Sequence, residues 1–197
     1  MDTKTIIALL LGSSVIGGVI SGLIAQGAPW WREKLANDKA AAFSALRLAL
    51  MLEEFAGDCA GLYGDFDTHR SSRGGAGELP ARLPRLKDYP DDIAWQALGT
   101  KLTTTVLHFR VVRSDAGAMI TADGEFSDQV DHSRLIAQTA VNLGLKALGV
   151  AHNLRQYWKL APAHVDPDNS TEDYLTRSLA GIAERKARLA SQEKAEF

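Results

Sequence analysis

From Thr5 to Trp31 the chain carries no charged side chain, and residues 6–25 read IIALLLGSSVIGGVISGLIA. A helix needs about 20 apolar residues, at about 1.5 Å each, to cross a hydrocarbon core. The run therefore predicts a transmembrane anchor within residues 1–30. Pro29, Trp30 and Trp31 close it, followed by Arg32 and Lys34. Paired tryptophans suit the headgroup level, where an amphipathic ring is satisfied on both sides. A cleaved secretory signal is the alternative, with Lys4 ahead of the run and Ala25-Gln26-Gly27 near a possible cut. A signal's apolar stretch is shorter, about 7–15 residues, so length and flank favour the anchor.

Past the anchor, residues 31–197 are expected to form one helical-bundle domain. From Trp31 to about Tyr63, Leu48, Met51, Leu52, Phe55, Cys59 and Leu62 repeat at the helical period, while Phe43, Leu46 and Leu50 form a second stripe. A helix apolar on two faces belongs between neighbours or in an oligomer seam. Pro29 can start this helix or kink one continuous with the anchor. Residues 64–92 read as a connecting strap: Pro80, Pro84 and Pro90 exclude an interior helix, while Leu79, Leu83, Leu86 and Tyr89 are spaced to lie over a bundle. Tyr89 and Trp95 are expected to pin it. Asp91 or Asp92 is placed to cap a short turn carrying Ile93, Trp95 and Leu98.

Residues 100–116 read as helix from Leu102, Val106 and Phe109, although Thr103-Thr104-Thr105-Val106 also fits a strand. From His132 to Leu160 the core face is Ile136, Ala140, Leu143, Ala147, Val150, Leu154 and Tyr157, beside a stripe of Val141, Leu145, Leu148 and His152. Asn169 or Ser170 caps a last helix with one narrow apolar face, Leu175, Leu179, Ile182 and Leu189. The fold class expected is all-α: an N-terminal single transmembrane helix, then about four bundle helices with a Pro-rich strap.

Charge places the domain. Lys4 alone precedes the anchor, whereas Arg32, Lys34 and Lys39 follow it, so the positive-inside rule puts the domain in the cytoplasm. The lone Cys59 agrees, since oxidised domains carry paired cysteines. Across the chain 22 basic residues face 24 acidic ones, with no basic stripe of the kind a nucleic-acid binder needs. No nucleic-acid partner is expected. Inside the span, Ser14, Gly18 and Gly22 fall at i, i+4 and i+8 beside Ser13, Gly17 and Ser21. Two helices approach closely along such a face, so it is a candidate for self-association; the plain reading is that Gly and Ser are common in transmembrane helices.

Candidate chemistry is sparse. Glu54 and Asp58 lie one turn apart, and Asp65, Asp67 and His69 follow. Together they could give oxygen ligands to a hard divalent cation, in a metal-dependent hydrolase or a sensor. A carboxylate bundle site repeats Glu-x-x-His on partner helices, and that repeat is missing. The plain reading pairs Glu54 and Asp58 with arginines such as Arg110 or Arg155. His152 is the histidine expected to be buried, in a core role before a switch or ligand role. Cys59 fits a small core hydrophobe better than a nucleophile. The Arg70–Gly77 loop lacks the Lys-Ser/Thr of a phosphate loop. No catalytic motif and no cofactor motif stands out.

The segment LEEFAGDCA at 52–60 and the stretch YPDDIAWQAL at 89–98, with its Asp-Asp-x-x-Trp-x-x-Leu spacing, resemble uncharacterised bacterial proteins with an N-terminal membrane helix and a helical cytoplasmic domain. The resemblance covers roughly residues 40 to 115 and implies a bacterial inner-membrane setting; it carries no activity. Two functions are expected from the whole: a membrane-anchored, non-enzymatic interaction protein that assembles with itself or another membrane protein, or the metal-dependent reading. A ligand sensor gated by the strap at 79–90 is a third.

Overall fold

The computed structural model describes residues 14–163 and 170–195, with side chains from 31 to 163 and 170 to 192. The elements, in order, are α1 (Ser14–Ser71), α2 (Trp95–Leu98), α3 (Thr100–Asp123), α4 (Gln129–Tyr157) and α5 (Thr171–Ala195). Among the described residues there is no strand, so the all-α expectation holds and the Thr103–Val106 run is helical. None of these helices is long and apolar enough to cross a membrane. The first part of the predicted anchor, residues 1–13, lies outside the described residues. Ser14, Gly18 and Gly22 fall on the first turns of α1, which continues through Pro29.

α1 is a single helix of 58 residues. Every residue from 31 to 40 is exposed, and burial begins at Ala41. From there Leu48, Leu52, Phe55 and Cys59 turn inward, as their spacing predicts. Of the two expectations for the second stripe, burial between neighbours within the chain is not what is found: Phe43 is 60% and Leu50 51% exposed, and only Leu46 is half covered. Among the described residues, no bundle helix covers Phe43 or Leu50.

α1 also runs past Tyr63, where the sequence suggested an end, to Ser71. The reason is tertiary. Tyr63 and Phe66 are buried in a second cluster with Ala137, Val141, Leu175 and Ile182, which holds the last turns helical despite Gly57, Gly61 and Gly64. The connection therefore starts at 72 and not at 64. Gly77 turns the chain back onto α1: its φ is +75°, and a Cβ there would sit 2.3 Å from the Asp65 carbonyl oxygen. Only glycine fits.

The strap is ordered by its apolar residues, as expected. Leu83, Leu86 and Ile93 enter the core. Tyr89 stacks edge-on against Trp95 at 5.7 Å and donates its hydroxyl to the Val106 carbonyl at 2.9 Å. Neither aspartate caps α2 with its side chain: Asp92 pairs with Arg47 at 2.7 Å, and the Ala94 amide donates to Ser44 Oγ at 3.0 Å.

α3 climbs beside α1 in the same direction. Its start lies near Ser44 through the strap, Phe109 meets Phe55 edge-on at 5.7 Å, and Thr121 and Gly124 reach the level of Gly61 and Asp65. α4 returns the other way as the central helix, touching α1, α3 and α5. Asp128 caps it by accepting from the amides of Val130 and Asp131, both at 2.9 Å, and these bonds hold its carboxyl below the ordinary carboxylate range. A Cβ at Gly144 would lie 2.8 Å from Leu175 Cδ1 and 3.1 Å from Cys59 Cβ, so this glycine lets α1, α4 and α5 meet. Ser170 caps α5, accepting from the Asp173 amide at 3.3 Å.

Candidate functional site

A concavity of about 1630 Å³ lies between α1 (57–65), the strap (78–85), the far half of α3 (113–125) and His132 of α4. Gly57 and Gly61 form part of its floor, and a Cβ at either would meet nothing within 4 Å. Asp58 and Asp65, two of the five residues singled out by sequence, face this cleft from α1, with Glu78 and Glu125 farther round and Arg82, Arg85 and Arg113 on the other walls. Among the described residues, none of the four carboxylates has an ion-pair partner. Elsewhere along the bundle edges, Glu53, Glu54, Asp67, Asp88, Asp92 and Asp131 each meet a basic side chain.

The structure does not bring the five candidate ligands together. Glu54 accepts from Lys87 Nζ at 2.5 Å, outside the cleft. Asp67 accepts from Arg70 at 2.6 Å. His69 Nδ1 lies 3.4 Å from the Gly77 carbonyl. On a straight helix Glu54 and His69 are about 22 Å apart, and Asp67 projects roughly opposite Asp65. Among the described residues, no group of three or more His, Cys, Asp or Glu side chains is placed to hold a metal ion.

The alternative pairing is corrected too. Arg155 makes a two-pronged bond with Glu53, at 2.6 and 2.9 Å, while Arg110 pairs with Asp88. Asp58 meets neither. Glu53, one residue from the expected Glu54, lies on the side of α1 that meets Arg155 of α4 and makes the forked contact, the stronger Arg–carboxylate geometry, while Glu54 is turned toward Lys87 of the strap. The Glu53 carboxylate in turn raises the Arg155 pKa.

His152 is exposed, against the expectation of burial. α5 packs over Val141, Leu145 and Leu148, and His152 lies one turn beyond them. Cys59 is buried, and burial, reinforced by the Asp58 charge, pushes its thiol up to about 12. A thiol so high stays protonated at neutral pH and is a poor nucleophile. The Arg70–Gly77 loop satisfies itself: Ser72 Oγ both accepts from the Ala76 amide and donates to the Ala76 carbonyl, at 2.9 Å.

Three features were not singled out by sequence. Arg113 donates to the Pro84 carbonyl at 2.8 Å, pinning the strap to α3, while its Nε is buried with no hydrogen-bond partner. His132 Nδ1 approaches Asp123 at 3.3 Å and its ring closes over Gly124, where a Cβ would lie 2.7 Å from the ring. The third is the outward side of α3, with Leu107, Val111 and Met119 exposed. A 3–4 count along α3 could have found it.

Taken together, the described residues define an all-helical bundle of long helices with an ordered extended strap and an open cleft edged by four carboxylates without ion pairs. No protein-family model matches the chain, and no curated protein or solved structure matches it.

Proposed function

We propose that this chain is a membrane-anchored, non-enzymatic interaction protein. It would be single-pass in an inner (cytoplasmic) membrane, with its bundle in the cytoplasm, and would act by assembling with a second copy of itself or with another membrane protein. One observation carries the reading. The helix that organises the bundle continues without interruption toward the uncharged run, and between the two stand ten residues, 31–40, all exposed. At about 1.5 Å per residue this is a stalk of about 15 Å holding the bundle away from the end of the run. Trp31, Arg32 and Lys34 lie where the run would leave the headgroup layer. The resemblance to bacterial proteins with an N-terminal membrane helix belongs to the same reading.

The test is fractionation of the full chain from cells, with alkaline extraction of the membranes and cysteine-reagent labelling of Glu184→Cys from either side. Retention in the extracted membrane and labelling only after the cytoplasmic side is opened are expected. Release into the soluble fraction would refute the anchor; labelling in intact cells would refute the orientation.

A further inference from the structure

We infer that two copies of this chain pair in parallel through the outward face of α3. The seam is argued from α3 alone; its sense and its setting rest on the anchored reading above.

The face is Thr104, Leu107, Val111, Ser114, Ala118 and Thr121, all exposed, with Leu107 at 45% and Val111 at 52%; its far half, Ser114, Ala118 and Thr121, also edges the cleft beside the strap. Their spacing alternates three and four without a slip over the length of the helix, the repeat that keeps one stripe facing a partner helix. No member of the stripe is ionised. Thr121 donates its hydroxyl to the Gly117 carbonyl at 3.0 Å, so it presents a methyl group outward rather than an unmet donor.

The chemistry of the positions selects the occupant. In the heptad register Thr104, Val111 and Ala118 take the a positions, and Leu107, Ser114 and Thr121 the d positions. Val111 at a beside Leu107 at d is the pairing that, among parallel coiled coils, favours two strands over three or four. In that arrangement a g residue meets the e residue five places later on the partner. Arg110 occupies g and Asp115 occupies e, so each copy's Arg110 faces its partner's Asp115, twice by symmetry. Asp115 is exposed and has no ion pair within its own chain; Arg110 shares Asp88 at the same edge. The charges are thus complementary to a second copy in parallel. An antiparallel pair would separate them.

The competing stripe on α1 fits a copy less well. Phe43, Leu46 and Leu50 share their register with Arg32 and Lys39, which would meet their own images in a parallel pair. Direction supplies a further argument. α3 runs the same way as α1, so a parallel α3 pair sends both N-terminal helices out on one side, as two anchors in one bilayer require.

The test uses the full chain reconstituted in lipid vesicles, with one cysteine added at Leu107, Val111 or, as a control on α5, Glu184; a mixture of Leu107→Cys and Ala118→Cys chains reports the antiparallel pairing. Oxidative cross-linking should join Val111→Cys to itself and Leu107→Cys to itself, with little product from Glu184→Cys. The Val111→Lys and Asp115→Arg variants should raise the dimer dissociation constant, read by energy transfer at varied surface density, by at least about tenfold while the helical circular dichroism and melting temperature hold. Equal cross-linking at all three sites, a Leu107–Ala118 cross-link in place of the like-to-like ones, or a monomer at every density would overturn the proposal. Alkaline extraction of the same samples keeps the two readings apart. A chain that is extracted yet cross-links at Val111 refutes the anchor and keeps the seam; a retained monomer refutes the seam and keeps the anchor.

Discussion

Replacing Phe55 by alanine tests the central packing most directly. The side chain is buried in the middle of α1 and meets the edge of Phe109 on α3, itself buried, with the ring centroids 5.7 Å apart. Removing a core phenylalanine costs about 3–5 kcal/mol, and an edge-to-face pair adds about 0.5–1.5 kcal/mol of coupling beyond burial. Domains of this size hold about 5–15 kcal/mol in total, so Phe55→Ala should remove a large share without abolishing folding. At about 2–4 °C per kcal/mol, a loss of about 4 kcal/mol lowers the melting temperature by about 12 °C. Urea unfolding of the full chain in mild detergent, followed by helical circular dichroism, measures the loss. Phe109→Ala and the double variant complete a thermodynamic cycle. A single-variant loss below about 1.5 kcal/mol, or strictly additive losses, would mean that α1 and α3 do not meet through these rings.

Alkaline stability provides a second check. Burial pushes the Cys59 thiol from 9.0 to about 12 and the Tyr89 phenol from 10.0 to about 12. Both groups keep their protons longer in the folded chain than in the unfolded one, so their contribution is intact below about pH 9 and is lost as pH rises toward about 12. The urea midpoint should fall between about pH 8 and pH 11, less steeply in Cys59→Ala; equal slopes would refute the burial assigned to Cys59. Gly77→Ala should destabilise the start of the strap by about 1–3 kcal/mol, because φ is +75° and the new Cβ would overlap the Asp65 carbonyl. Faster amide exchange over 72–86 is expected, and unchanged exchange there would refute the turn.

Periodicity in the sequence located the helices well where one face was enough to define them. Leu48, Leu52, Phe55 and Cys59 on α1, and Ile136, Ala140, Leu143 and Leu154 on α4, are buried as their spacing requires. It failed where burial depends on how far a neighbour reaches. His152 and Tyr157 sit on stripes as regular as the core ones, but α5 ends its cover before the first, and Tyr157, the last residue of α4, is 65% exposed. The end of α1 lies beyond the expected Tyr63: Gly57, Gly61 and Gly64 weaken a helix intrinsically, while the burial of Tyr63 and Phe66 outweighs them. The acidic candidates show a different gap. Composition gathered Glu54, Asp58, Asp65, Asp67 and His69 into a short segment, but on a straight helix that segment is long and presents them on different sides. Only Asp58 and Asp65 share a cleft.

The modest size of the proposed seam is part of its logic. Each copy offers one leucine and one valine, with alanine and hydroxyl-bearing residues filling the remaining levels, so apolar burial at about 25 cal/mol per Å² yields a weak dimer in free solution. Attachment to one surface changes the comparison, because confinement turns the second encounter into a local one and raises apparent affinity by about 10²–10⁴ without any new contact. Small residues also let two α3 helices approach closely, which brings Arg110 within reach of the partner's Asp115. A weak, oriented seam and a stalked anchor therefore fit one another: pairing follows from surface density and stays reversible when that density falls.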